Sequence, residues 1–404
     1  MKKLIALLMV LLVAGAAFAQ FPDGLSIGGW GRADFVPFQG IFSDDDDVDP
    51  VIMTGVGSGW GPAYMGLNFR FSAADGRVGG GADISRGTGG PSDGDEVNIW
   101  TKPFGSDILF IGIGQFRKGD FRGPGTDGDF QGFIGGPGKN GDAVFQRFAP
   151  NAGALFISKP VEGLSLFAQV DHPGDMTGIG PIISGDVAEA KDTYKKIQAG
   201  FAYDISGIGL ARAQWVGNSM DLDFAALTAN PARIEAAFKL RAVEGLNLDI
   251  GLKVPIAVKE EIATKDVTYQ DNFQINLAGD FKSGDFGITY GLYTAFGGSV
   301  KVEDESDPTL EMAPTCNVIL VPSFYLAGLD ATVGGDIGLK IQGESKANGT
   351  ARKDDAATFG IGVWLSRNLG KGDIKTGLAF HFPDSDAKPK ETVVSLPIIM
   401  HVSF

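Results

Sequence analysis

The amino-acid sequence predicts an all-β protein, a transmembrane antiparallel up-and-down β-barrel of about eighteen strands, with sixteen as the alternative count. Three observations predict it. Apolar and polar residues alternate with a period of two over most of the chain. Long and short connections alternate between those segments. Charged residues inside the segments keep to one parity.

The chain starts with Lys2 and Lys3, an apolar run from Leu4 to Val13 and the small-x-small stretch Ala17-Phe18-Ala19. These are the parts of a secretory signal peptide. We therefore expect residues 1–19 to be a cleaved signal and 20–404 to be a single barrel. The apolar run is too short to prefer permanent spanning, and no other stretch approaches the ~20 apolar residues of a membrane helix. The single Cys316 allows no internal disulfide. Export without disulfides suits a chain held together by a closed sheet.

The strands follow in order. Leu25, Ile27, Gly29, Gly31, Ala33 and Phe35 alternate with Ser26, Gly28, Trp30, Arg32 and Asp34. Met65, Leu67, Phe69 and Phe71 alternate with Tyr64, Asn68, Arg70 and Ser72, and Val78, Ala82 and Ile84 with Arg77, Asp83 and Ser85. Weaker alternation covers 96–104, 107–117, 152–159, 163–172, 194–205 and 208–217. The second half is cleaner: 233–241, 246–256, 272–281, 285–297, 315–327, 329–342, 356–367, 372–383 and 392–404. Such lengths bracket the ~9–11 residues that a tilted strand needs to cross a bilayer.

The connections expected to be long are 37–61, 88–96, 118–151, 173–193, 218–231, 258–269, 298–314, 343–355 and 384–391. Between them lie short turns, most with Gly, as hairpins that need positive φ require. Soluble sandwiches and propellers do not show this long/short rule. Charge is partitioned too. The chain carries a net charge of −15, which excludes a simple nucleic-acid binder. The nine long connections hold 32 of the 49 acidic residues. Strands and turns are close to neutral. On the lipid side an Arg or Lys costs ~2–4 kcal/mol at mid-bilayer. Confinement of charge to one parity therefore marks that face as the lumen and makes it wet.

Local motifs add little chemistry. The run Asp44 to Asp47 with Asp49 lacks the Gly and distal Glu of a calcium loop and is best taken as a solvated acidic connection. Gly55–Gly59 and Gly135–Lys139 do not sit between a strand and a helix, so neither is a phosphate loop. The histidines are His172, His381 and His401, and no close pair suggests a metal. Ser403 and His401 share a face at the chain end, where strand closure accounts for them. No catalytic residue, metal or cofactor is expected. Trp30, Trp364 and Trp100 have lumen parity; we expect them to pack rather than to serve as a sugar-stacking track.

The last strand carries the resemblance. Phe404, Val402, Met400, Ile398, Leu396 and Val394 alternate with Ser403, His401, Pro397 and Ser395. This ending resembles the C-terminal signal of bacterial outer-membrane β-barrels, which implies that Met400, Val402 and Phe404 are read by the barrel-assembly machinery. With its signal peptide, strand number and alternating connections, the whole mature chain resembles a bacterial outer-membrane porin of general or sugar-specific type. The stretch Asn98–Phe104 is also similar to spirochaete outer-membrane proteins. The resemblance implies passive diffusion of small hydrophilic solutes, a homotrimer, outer-membrane lipid as surroundings, and aromatic belts at two rims. Phe71, Tyr203, Phe281, Phe286 and Phe404 fall at one rim, and Phe35, Phe116, Trp215, Phe273, Phe296 and Phe382 at the other.

Connection 118–151 holds the ordinal place of the porin loop that folds into the lumen, and it carries Phe121, Phe130, Phe133, Phe145 and Phe148. We expect it to narrow the pore, with Arg117, Arg122 and Arg147 facing Asp120, Asp127 and Asp129 across a constriction. Arg32, Arg70, Arg212, Arg241 and Lys239 are expected on the lumen wall, where they favour anions mildly while the acidic connections oppose them. The rival expectations are a surface adhesin or structural protein on a plugged barrel, and a soluble secreted β protein.

Overall fold

Period-two alternation becomes one antiparallel ladder in the computed structural model, which describes residues 24–45, 49–56, 63–87, 90–115, 153–171, 197–217, 219–223, 228–230, 232–262, 265–270, 272–302, 310–347, 350–353, 356–385 and 391–403. Eighteen strands form the wall. They are β1 (Leu25–Ser43), β2 (Ala63–Ser72), β3 (Val78–Gly87), β4 (Gly90–Thr101), β5 (Phe110–Gln115) and β6 (Gly153–Val161). Next come β7 (Leu164–Asp171), β8 (Ile197–Ile205), β9 (Gly209–Val216), β10 (Arg233–Leu240), β11 (Leu246–Pro255) and β12 (Phe273–Ser283). The last six are β13 (Phe286–Phe296), β14 (Thr315–Leu326), β15 (Ala331–Gln342), β16 (Ala356–Asn368), β17 (Gly372–Ser385) and β18 (Glu391–Ser403). Each pairs antiparallel with its sequence neighbours, and β1 closes on β18 from Trp30↔Ser403 to Ser43↔Glu391. The count is thus eighteen rather than sixteen.

Which face meets which medium follows from the side chains. Ile361, Ile337 and Ile275 are 39–43% exposed on the outside, while Glu235, Asn276 and Asn317 are 0% exposed on the inside. A water-soluble fold has the opposite arrangement. The outer face is what a hydrocarbon solvent requires. Aromatics gather near the strand ends: Phe71, Tyr203 and Phe286 lie exposed at the short-turn end, and Phe35, Trp215, Phe296 and Phe382 at the other. Rings pair across strands there, Phe273 with Phe296 at 5.0 Å and Phe359 with Phe382 at 5.9 Å between centroids. Phe116 and Phe404 lie outside the described residues, whereas Met400 and Val402 face outward and exposed.

Several boundaries differ from the sequence expectation. β1 runs on to Ser43, and Val51–Val56 pairs back onto it. Pro37 is the cause. It lacks an N–H, and the register slips between Phe35 and Phe38. Outward positions are odd before it and even after it, which breaks the alternation in the sequence. The expected nine-residue connection 88–96 is a tight hairpin with Gly87 opposite Gly90; Asp93, Asp95 and Glu96 mask the strand by placing polar residues on both parities. The turn after β4 is longer than the expected Gly105-Ser106, because Pro103 ends the ladder and β5 resumes only at Phe110.

Four expected loops also hold strands: in 218–231, Ser219–Asp223 pairs with Thr228–Asn230, and the other three build one sheet. Val258–Ile262, Lys265–Gln270, Ser299–Val302, Leu310–Glu311, Ser345–Ala347 and Thr350–Lys353 form a six-stranded sheet in that order. The order repeats that of β11–β16, from which these short strands rise. Tyr269, Val300 and Leu310 stand opposite one another on one of its faces and are buried. Strands of two to six residues are too short for periodicity to reveal.

Glycine shapes the inner surface. Trp30 lies over Gly66, Trp100 over Gly79 and Trp364 over Gly334; a Cβ at any of these glycines would strike the ring. We expect Gly334→Val to destabilise the barrel by about 1–3 kcal/mol through overpacking, and Gly328→Ala, where the space is open, to change little. Ile361→Arg on the outer face should cost about 2–4 kcal/mol. Urea unfolding in lipid vesicles measures all three.

Candidate functional site: the lumen wall

The inward positions of β7 to β15 form a continuous polar row. Pleating alone places alternate residues there, and the register then sets their neighbours. Gln169 stands opposite Gln198, Gln214 opposite Glu235, Glu235 opposite Lys253 and Lys253 opposite Gln274. Further round, Asn276 faces Tyr293, Tyr293 faces Asn317, and Asn317 faces Lys340. Between Gln198 and Gln214, and again between Gln274 and Asn276, the row steps by two residues, as the stagger of a closed barrel demands.

The row is bonded from β8 to β10. Gln198 Nε2 donates to Gln214 Oε1 at 3.0 Å. Gln214 Nε2 in turn donates to Glu235 Oε2. Arg233 Nε donates to Glu235 Oε1 at 2.5 Å, and both side chains are buried. Burial of a lone carboxylate here would be expensive; the guanidinium and the amide together replace its water. Gln274 Oε1 is buried with no hydrogen-bond partner.

A second cluster lies nearer the short-turn end. Arg212 reaches from β9 across β10 to Asp249 on β11, with Nη2 to Oδ1 at 2.9 Å. The residue beneath this crossing is Ala237, level with Arg212 in the ladder and too small to block it. Lys239 Nζ lies 3.5 Å from the other Asp249 oxygen. At the mouth, Arg241 Nη1 donates to Asp204 Oδ2 at 3.2 Å, and on β2 Arg70 Nη1 meets Asp83 Oδ1 at 2.5 Å. Arg32 stands opposite His401 across the seam, and His401 Nδ1 lies 3.5 Å from Asp373.

Of the wall residues singled out in the sequence, Arg70, Arg212, Arg241 and Lys239 each have a carboxylate at hand. The structure thus brings together cations and anions that sequence alone set on one parity but could not pair. The residues of the expected constriction, Arg117, Asp120, Arg122, Asp127, Asp129 and Arg147, lie outside the described residues. Sequence reasoning weighed charges and passed over the amides Gln169, Gln198, Gln214 and Asn317. The signal that would have found them is shared parity with the charged positions once register is known.

The inward tryptophans Trp100 and Trp364 are packed rather than open. Trp364 is buried, donates from Nε1 to Asp336 Oδ1 at 2.9 Å, and has Lys375 Nζ 3.8 Å from its ring centroid. Trp100 stacks on Phe110 at 5.7 Å and packs against a buried apolar patch of Leu155, Ile157, Phe167 and Ala202 on the inward side of β6–β8. No group of His, Cys, Asp and Glu among the described residues could hold a metal ion. We expect Asp249→Ala to cost about 3–5 kcal/mol, because it strands the buried Arg212; equilibrium urea unfolding, with Arg212→Met/Asp249→Leu as the paired replacement that relieves the loss, measures it.

No family model and no curated protein matches the sequence. Solved structures do match in fold. OccK10 (OpdN) of Pseudomonas aeruginosa aligns with a TM-score of 0.52 at 11% identity, over 95% of this chain and 99% of that one. OccK5 (OpdH) of the same organism aligns with a TM-score of 0.51 at 10% identity, over 96% and 100%. An anion-selective porin from Comamonas acidovorans aligns with a TM-score of 0.47 at 12% identity, over 94% and 100%. At such identities the likeness is one of architecture, and the architecture is a porin-like β-barrel of the bacterial outer-membrane kind.

Proposed function

We propose that this protein is a passive diffusion channel for small hydrophilic solutes or ions in a bacterial outer membrane. The observation that carries this reading is the inverted burial: isoleucine, valine and phenylalanine outward, glutamine, arginine and glutamate inward. A wall of eighteen strands has the circumference to enclose water as well as side chains. Inward polar side chains that hydrogen-bond to one another are the lining of a porin-like barrel rather than of an apolar core.

Several finer features belong to the same proposal. Residues 1–19 are removed on export, and residues 20–404 form one barrel. Met400, Val402 and Phe404 are read during assembly. Connection 118–151 enters the lumen, and Arg117, Arg122 and Arg147 with Asp120, Asp127 and Asp129 set a transverse field there. The chain assembles as a homotrimer, and it is not an enzyme.

The test is the mature chain refolded into planar bilayers. Stepwise, ohmic single-channel conductance is the expected result. A correctly folded barrel that gives no steps would make it a plugged barrel, and attention would pass to its acidic connections as an adhesive surface. Chemical cross-linking in membranes is expected to trap three copies.

A further inference from the structure

A turn surrounded by water is ordinarily polar. Five of the eight short turns of this barrel instead hold a large apolar side chain in the open. They are Phe104 and Ile108 in 102–109, Ile208 in 206–208, Val243 in 241–245, Leu329 in 327–330 and Leu369 in 369–371. Phe104, Leu329 and Leu369 are 63–67% exposed, more than the rim aromatics Phe71 and Tyr203 at 48% and 43%. The turns 162–163 and 284–285 have only two residues each. A single exposed apolar residue means little. Recurrence from turn to turn at one end of a closed wall marks a contact surface.

The sheet that rises from β11–β16 at the opposite end follows the rule of water. It buries Tyr269, Val300 and Leu310 and exposes Lys301 and Glu311. Val51–Met53, on the strand added to β1, are exposed there and depart from that rule.

The short-turn end continues the outer face. Val161 stands opposite Leu164, and Leu164 opposite the outward Tyr203. Val78 stands opposite Thr101, the last residue of β4 before 102–109. The backbone of these turns also suits a membrane boundary, where open amides are costly. The N–H groups of Gly105, Ile208, Leu246, Asp330 and Leu369 donate to the carbonyls of Lys102, Ile205, Val243, Ala327 and Gly372. The turn 102–109 is braced further: Lys102 Nζ lies 2.6 Å from Asp107 Oδ1, and Ser158 Oγ donates to the Ile108 carbonyl at 2.7 Å. The stretch Asn98–Phe104 thus ends in a ring kept in the open on a fixed turn. Charges at this end come as exposed pairs of both signs, Asp75 with Arg77 at 3.8 Å and Asp204 with Arg241 at 3.2 Å. Such pairs complement a head group that itself carries a phosphate and an ammonium, whereas a purely basic fringe would select anionic lipid.

We infer that the short turns are a lipid-binding fringe: Phe104, Ile108, Ile208, Val243, Leu329 and Leu369 enter the interfacial layer of the near leaflet, among zwitterionic head groups. The barrel then sits deeper than its aromatic rim alone would set it. This rests on the bilayer location proposed above and not on conduction.

The experiment uses the full mature chain with Cys316→Ser, refolded into liposomes of phosphatidylethanolamine and phosphatidylcholine. A bimane dye is attached at Leu329→Cys or Leu369→Cys, with Val243→Cys as the site to use should either fail to fold. Ile361→Cys on the outer face and Glu311→Cys beyond the opposite end are the references. Nitroxide-labelled phosphatidylcholine is expected to quench the turn dyes several-fold more than the dye at 311, and iodide several-fold less. Replacing part of the lipid with phosphatidylglycerol is expected to change neither. Turn dyes as open to iodide as the one at 311 and untouched by nitroxide, with the dye at 361 quenched, overturn the inference and leave the membrane barrel standing. Quenching that requires phosphatidylglycerol overturns the assignment to zwitterionic head groups. A dye at 361 that nitroxide does not reach overturns the bilayer location and the inference with it.

Discussion

A backbone amide in hydrocarbon has no water to bond, so every N–H and C=O of a membrane sheet must find a partner in the protein. An open sheet fails this at its two edges. The pairing of β1 with β18, twelve residue pairs from Trp30 to Ser43, is therefore the contact on which all else depends. It makes the wall continuous. It also fixes the stagger that decides which inward residues become neighbours, and hence the whole polar row. Pro37 fits this scheme. The donor it lacks would fall within the seam strand, and a slip in register absorbs the loss.

Closure imposes the second constraint, which is electrostatic. The inner face is polar, yet long charged side chains on a concave surface converge. Unpaired, they would repel or be stripped of solvent at several kcal/mol each. The wall resolves this by distributing carboxylates among the cations at the reach of a single side chain. Ala237 illustrates the economy: a small residue on the middle strand opens a gap through which Arg212 bonds to Asp249 two strands away. Charge pairing here organises the inward face of the barrel.

Strand number, chain direction and the outward and inward parities were legible in the sequence, because each depends on a period that a single chain displays. The terminal alternation of Met400 and Val402 is the plainest case. What escaped depends on partners far apart in sequence or on local exceptions. Pro37 inverted the parity of β1 and so concealed its upper half. Polar residues on both faces hid the first part of β4. The short strands beyond β11–β16 owe their order to lateral neighbours and hold too few residues to show a pattern. The polar row was half visible: it runs through strands 233–241, 246–256 and 272–281, whose alternation is clean, but that Gln198, Gln214 and Glu235 form a bonded chain is a matter of register, which alternation does not encode.

Three of the tryptophans share one arrangement, each indole flat upon a glycine of the adjoining strand. The sixty glycines of this chain would ordinarily suggest looseness. Here some of them are recesses cut into the thickness of the wall. Bulky rings are stored there instead of standing further into the interior. Aromatic mass and the space left inside the barrel, which compete where larger residues face the rings, are thereby made independent.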